Sequence, residues 1–164
     1  MTMHQGYENR QVIYEKTLDA AAKQLSYRAV STAVLRQKLI EKGFPEEAVN
    51  AAIEWLQVHG LLDDAAYAQS VVRSYQRRGY GEMRIQQELR RRGIPSDAAQ
   101  EAMETFAPEF EKMIALLDKK LKGEVSDRRQ VDKAAAALQR RGYRWTEIRK
   151  ALDAYTDGLR DDEL

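Results

Sequence analysis

Apolar side chains recur at helical spacing along most of this 164-residue chain. The clearest stripe joins Phe110, Met113, Ile114, Leu117 and Leu121, whose steps of 3, 1, 3 and 4 residues place them on one helix face. Similar stripes, separated by glycine or proline, predict three helices before residue 61, three more up to residue 107 and three beyond it. Residues that favour strands are sparse, so the pattern predicts an all-α protein.

Three glycines indicate an internal repeat. Gly43, Gly93 and Gly142 lie 50 and 49 residues apart, and each follows a helical stripe. Glycine readily adopts the left-handed conformation that ends a helix, and the cation before each glycine faces the negative end of the helix dipole. A leucine stands four residues before each glycine and an alanine nine residues after it: Leu39, Leu89, Leu138, Ala52, Ala102 and Ala151. The pattern predicts three tandem three-helix repeats of helix-turn-helix type in an elongated arrangement.

The repeat sets the expected boundaries within the chain. Ser31, and then Asp63 or Asp64, are suited to cap the helices that follow them. We expect a disordered lead-in at residues 1–10, repeats at 11–61, 62–107 and 108–156, and an acidic tail at 157–164.

Positive charge is concentrated in the middle of a nearly neutral chain. The whole protein has a formal net charge of +1, whereas the stretch from Arg73 to Gly93 holds seven arginines against two glutamates, a local balance of +5. A second basic cluster lies around Gly142, at the equivalent helix junction of the third repeat. A solvated helix surface is one interpretation. The other is recognition of phosphate or carboxylate groups, for which the guanidinium group is well suited.

Aromatic residues lie among these cations. Tyr75 and Tyr143 occupy apolar-phase positions and are expected in the core, whereas Tyr80, between two glycines, is a candidate for the surface. Stacking on nucleic-acid bases is one role for such a residue. The candidate binding residues are Arg73, Arg77, Arg78, Tyr80, Arg84, Arg90, Arg91, Arg140, Arg141, Arg144 and Arg149.

No pattern in the sequence indicates catalysis. The chain has no cysteine, two isolated histidines, no phosphate-binding loop and no dinucleotide fingerprint. The neighbouring acids Asp63 and Asp64 fit a helix start better than a catalytic pair. We therefore expect a non-enzymatic protein without metal or cofactor. The absence of a long apolar run and of a signal peptide predicts a cytoplasmic protein that does not enter membranes.

Several short motifs together resemble the bacterial RecX family. They are Gly60-x-Leu62-Asp63-Asp64-x-x-Tyr67-Ala68, Arg77-Arg78-Gly79-x-Gly81, Ile85-x-x-x-Leu89 and Arg92-Gly93-Ile94, and the likeness extends over roughly residues 12–156. The resemblance implies a curved chain of three three-helix units, and we expect this chain to be a monomer. It also implies a regulator that binds the RecA–DNA filament, binds single- or double-stranded DNA weakly, and inhibits the recombinase, ATPase and coprotease activities of RecA in recombination and the SOS response.

Two other functions fit the same residues. A tandem helix-turn-helix regulator would bind duplex DNA directly through base contacts and show strong sequence preference. A purely protein-binding helical scaffold would bind no nucleic acid even at low salt. The RecX-like function instead predicts little sequence preference and steep salt sensitivity.

Overall fold

The computed structural model describes residues 3–163 and contains only helices in that range. This confirms the predicted all-α class. The helices are α1 (Met3–Tyr27), α2 (Thr32–Glu41), α3 (Glu46–Val58), α4 (Asp64–Arg77), α5 (Glu82–Arg91), α6 (Ser96–Met103), α7 (Phe110–Leu121), α8 (Arg128–Arg140) and α9 (Trp145–Asp162).

The first helix is longer than the sequence pattern indicates. Residues 3–10, expected to belong to a disordered lead-in, form the first turns of α1, which corrects that expectation. These residues are mostly exposed, so no apolar period marks them as helical. Side-chain pairs four residues apart stabilise a helix, and His4 and Glu8, whose side chains lie 3.2 Å apart, form such a pair. They extend a helix whose buried residues, Thr17 and Ala21, lie further along the chain. The remaining positions of the expected lead-in and of the acidic tail, 1, 2 and 164, lie outside the described residues.

The predicted caps are formed, and Asp63 and Asp64 accept hydrogen bonds from the starts of two different helices. The Ser31 hydroxyl accepts a hydrogen bond from the backbone N–H of Val34 at 3.2 Å, which caps α2. Asp63 caps α4 by accepting from the N–H of Ala66 at 3.0 Å. Asp64 accepts from the N–H of Thr32 at 2.8 Å, so it stabilises the start of α2 as well as lying in the first turn of its own helix.

The chain divides into two compact units. The first contains the described residues up to Ala68 together with Arg90–Ala99, and the second contains Gln69–Leu89 and the described residues from Gln100 onward. The core of the first unit comes from α1, α2, α3 and the segments beside them, and includes Leu35, Leu39, Val49, Ile53 and Leu56. The division does not follow the predicted repeat boundaries, which stay a prediction.

The second unit is built around the stripe that dominates the sequence pattern. Met113, Leu117 and Leu121 of α7 are buried against α8 and α9, where Leu138 and Ile148 are fully enclosed. Tyr75 and Tyr143, expected in the core, are 9% and 3% exposed, which confirms that expectation. Of the helices in the described chain, none combines the length and apolarity that crossing a membrane requires.

Candidate functional site

The start of α5, which lies within the first basic stretch, packs against the basic junction that follows α8 within the second unit. The backbone N–H of Gly81 donates to the carbonyl of Arg141 at 2.8 Å, and that of Met83 donates to the carbonyl of Gly142 at 3.0 Å. In any helix, the first backbone N–H groups and the last carbonyl groups have no hydrogen-bond partner within the helix. Here the start of α5 and the end of α8 supply each other's partners, with opposite ends of the two dipoles together.

Two glycines make this close approach possible. A Cβ on Gly81 would lie within 3.0 Å of the Gly142 carbonyl group and the Tyr143 nitrogen. A Cβ on Gly142 would lie within 3.0 Å of the backbone and Cβ of Arg84. Because backbone atoms cannot move aside as a flexible side chain can, the junction requires glycine at both positions.

Tyr80 forms the centre of a group of cations, which we call the Tyr80 cluster (Tyr75, Arg78, Tyr80, Arg84 and Arg141). The guanidinium carbons of Arg78, Arg84 and Arg141 lie 5.3, 5.9 and 5.2 Å from the centroid of the Tyr80 ring. Arg78 also lies 4.8 Å from the ring centroid of Tyr75. Cation–π attraction to the ring face holds the three charges together in spite of their mutual repulsion.

Arg141 has a structural role in this cluster. It is only partly exposed, and its Nη1 donates to the carbonyls of Arg78 and Gly79 at 3.1 and 3.4 Å. These carbonyls follow the last turn of α4, where partners are otherwise missing and positive charge is favourable. The Lys112 ammonium donates to the carbonyl of Arg77 in the same region. Two cations from other helices therefore stabilise the end of α4.

Arg144 is bound by an acidic partner that the sequence pattern did not reveal. Its Nε donates to Glu82 Oε2 at 2.6 Å, which joins the residue before α9 to the first residue of α5. The hydrogen bond from Arg144, together with its charge, lowers the pKa of the Glu82 carboxyl although partial burial opposes this. Part of the charge on Arg144 is thus neutralised within the protein.

The other candidate residues are placed mainly on exposed surface. In the second unit Arg73, Arg77 and Arg140 are exposed, and Arg149 lies 5.9 Å from the ring centroid of Trp145 on α9. Arg90 and Arg91 are exposed at the end of α5, in the part of that helix that belongs to the first unit. The structure therefore brings Arg78, Tyr80, Arg84, Arg141 and Arg144 together at one junction.

A basic cleft opens beside this junction, and we call it the Trp145 cleft. It has a volume of about 420 Å³ and is lined by Arg84, Gln87, Gln139, Arg140, Arg144 and Trp145, among others. Sequence reasoning identified its arginines but not its glutamines, because the cleft joins α5 to the α8–α9 junction across more than 50 residues of sequence. A weak signal was available, since glycines at both Gly81 and Gly142 indicate a close backbone approach.

In the described residues no group of three or more histidine, aspartate or glutamate side chains is placed to hold a metal ion. The fold and the surface define a protein of tandem three-helix modules that presents a strongly basic helix junction. Family models for the first and second three-helix domains of RecX match residues 18–56 and 63–103.

Curated relatives and solved structures agree with this match. The chain is 35% identical to the regulatory protein RecX of Vibrio parahaemolyticus over 148 residues, which are 89% of this chain and 96% of the relative. It is 40% identical to the regulatory protein RecX of Xanthomonas campestris over 119 residues, 71% of this chain and 74% of the relative. The chain belongs to the RecX family of regulatory proteins.

Two crystal structures share the fold. The structure of RecX from Lactobacillus salivarius matches with a TM-score of 0.82 and 23% identity, covering 88% of this chain and 97% of that one. A second structure of a regulatory protein RecX matches with a TM-score of 0.78 and 26% identity, covering 93% of this chain and 80% of the other.

Proposed function

We propose that this protein binds the RecA–DNA filament and inhibits the recombinase, ATPase and coprotease activities of RecA, in modulation of recombination and the SOS response. It acts as a non-enzymatic monomer in the cytoplasm. The observation that carries the proposal is membership of the RecX family combined with a basic junction in a chain whose net charge is only +1. A local excess of one charge sign attracts partners of the opposite sign.

The chemistry of the junction supports an acidic, extended partner. Arg77, Arg78 and Arg84 are exposed, so their guanidinium groups are available to carboxylates of RecA or to DNA phosphates. Tyr80 holds Arg78 and Arg84 by their ring contacts, which reduces the entropy lost when the two side chains are ordered by a partner. Arg141 and Arg144 have internal contacts, so we assign the direct filament contacts mainly to the other exposed arginines.

The function is tested by the ATPase rate of RecA on single-stranded DNA, with this protein added below stoichiometry. We expect the rate to fall at small ratios, because a filament binder acts on many RecA subunits at once. No change in rate, with sequence-specific protection of duplex DNA from cleavage, would overturn the proposal in favour of a direct transcriptional regulator.

The site is tested by charge reversal of one pair of arginines. The double variant Arg77→Glu/Arg78→Glu should inhibit RecA at least tenfold more weakly, because attraction becomes repulsion. The hydrogen bonds that Lys112 and Arg141 donate there go to main-chain carbonyls, which the variant keeps.

A matched control is Arg128→Glu/Arg129→Glu, an exposed pair at the start of α8. This control should inhibit like the wild type, and circular dichroism should report unchanged helicity in both. Equal inhibition by the wild type, the Arg77/Arg78 variant and the control would show that Arg77 and Arg78 do not contact the filament.

A further inference from the structure

We infer that the Trp145 cleft binds single-stranded nucleic acid, with a phosphate held by its arginines and an unpaired base stacked on Trp145. This inference rests on the proposed function, since it names the component of the filament that this surface contacts. Several observations within the second unit carry it.

The charge of the cleft suits a phosphodiester. Arg84, Arg140 and Arg144 line it, and Glu82, bound to Arg144, offsets one of the three positive charges. Arg140 is exposed at the end of α8 and makes no ion pair within the described residues, so its guanidinium group is available for bidentate binding. The Nε of Arg144 is occupied by Glu82, which fixes the direction in which the rest of this guanidinium group points.

Trp145 is placed as a stacking surface. As the first residue of α9 it is 53% exposed, so part of its ring is accessible to a partner beside the arginines of the cleft. Arg149, one turn further along α9, adds its charge 5.9 Å from the ring centroid. Aromatic rings beside basic clefts bind unpaired bases, because every base has a face that can stack.

The form of the cleft favours a single strand over a duplex or an acidic protein surface. In a duplex the bases are already stacked on each other, so the exposed ring of Trp145 would have no base face to meet. An acidic protein surface would use the arginines but has no need of the ring. The amides of Gln87 and Gln139 can both donate and accept hydrogen bonds, as the edges of bases require. The volume of about 420 Å³ lies within the range of small-ligand pockets.

The test uses the fluorescence of Trp145. The chain has two tryptophans and eight tyrosines, and Trp55 belongs to the first unit. Trp55→Phe therefore leaves Trp145 as the only tryptophan, and its emission is excited selectively at wavelengths that tyrosine does not absorb. We expect an oligothymidylate, titrated in at low salt, to quench this emission, and an abasic oligomer of equal length to bind more weakly and quench little. Trp145→Ala lacks this emission, so its affinity is measured by the fluorescence anisotropy of a dye-labelled oligothymidylate. It should bind roughly 5- to 150-fold more weakly, the loss expected for one stacked base.

Charge variants test the phosphate contact. The affinity falls as salt rises, so a plot of log affinity against log salt has a negative slope. Arg140→Ala should make this slope less steep by about 0.7, the value for one single-strand phosphate contact. Arg128→Ala, at the opposite end of α8, should leave the slope unchanged. Binding without quenching, equal quenching by the abasic oligomer, or stronger quenching by duplex DNA would overturn the inference. Quenching by RecA filaments but not by the free oligothymidylate would indicate that the cleft binds a protein surface, and this too would overturn the inference.

The RecA ATPase assay separates this inference from the proposed function. Inhibition of RecA without quenching by the oligothymidylate would refute the cleft and leave the proposed function standing. Quenching of Trp145 by the oligothymidylate without inhibition of RecA would refute the proposed function and leave the binding of single strands by the Trp145 cleft standing.

Discussion

Two buried tyrosines in the second unit differ in the hydrogen bonding of their hydroxyl groups. The hydroxyl of Tyr155 donates to Asp118 Oδ1 at 2.9 Å and accepts from the N–H of Gly123 at 2.8 Å. The hydroxyl of Tyr143 is buried and has no hydrogen-bond partner in the described part of the chain. Burial is the main cause that raises the pKa of Tyr143 to about 12. The same burial makes this hydroxyl a cost to stability, whereas that of Tyr155 contributes to it.

Removing the two hydroxyls should therefore have opposite effects. We expect Tyr143→Phe to keep the free energy of unfolding or raise it by up to about 1 kcal/mol, because a buried group without a partner is lost. Tyr155→Phe should lower it by about 1–2 kcal/mol, because Asp118 and Gly123 lose their partner. Urea denaturation followed by circular dichroism measures both. A loss in Tyr143→Phe as large as that in Tyr155→Phe would show that the Tyr143 hydroxyl is hydrogen-bonded.

Where helices meet, the stability of the fold depends on groups at their ends. The Glu82–Arg144 pair links the beginnings of α5 and α9, and a carboxylate on the first residue of α5 also suits the positive end of its dipole. Because the folded-state pKa of Glu82 is lowered, its contribution is fully present above the unfolded value of 4.5. That contribution is lost as the pH falls through the folded-state pKa.

This linkage predicts a difference in acid sensitivity. The wild type should lose stability as the pH falls from about 4.5, and Glu82→Gln should lose less over the same range because it has no proton to bind there. Urea midpoints at neutral and acid pH measure the difference. Glu101→Gln, at an exposed position of α6, is the control and should follow the wild type. Parallel curves for wild type and Glu82→Gln would contradict the ion pair.

Contacts at these helix ends show which features can be predicted from the sequence and which cannot. Ser31 and Asp63 act on residues three positions away, so their roles were visible in the local pattern. Arg141 binds carbonyls 62 and 63 residues earlier, and no local pattern reports a contact of that range. Arg141 stabilises the end of α4, and its contact with a partner stays a prediction. The early turns of α1 were missed because exposed residues carry no apolar period.

Across the molecule, one helix-junction contact occurs twice, once within each compact unit. In the first unit a Cβ on Gly93 would meet Ser31 Oγ and Val34 Cγ2, both at 3.2 Å. In the second, a Cβ on Gly142 would meet the backbone of Arg84, and Arg84 stands 50 residues after Val34. The glycine that ends the second helix of a repeat thus packs on the corresponding helix start of the preceding repeat. Gly43, in the first repeat, has no atom within 4 Å of such a Cβ.

Alanine at these three equivalent positions should therefore give graded losses of stability. All three glycines have positive φ, of 94°, 70° and 96° in chain order, so each variant bears the left-handed penalty of about 1–2 kcal/mol. Gly43→Ala should cost that alone. Gly93→Ala should cost roughly 1 kcal/mol more, since only side-chain atoms must yield. Gly142→Ala should cost the most, roughly 3–5 kcal/mol in total, because the atoms of Arg84 that it meets are mainly backbone.

Urea denaturation of the three variants measures this series, and Gly43→Ala serves as its internal control. Equal losses at all three positions would mean that backbone conformation alone selects these glycines and that the close approach of Gly142 to Arg84 is wrong. The graded order would instead show that the repeat read from the sequence is also a repeat of contacts. The Tyr80 cluster and the Trp145 cleft would then owe their geometry to the tightest of these junctions, because Arg84 and Arg141 are held on either side of it.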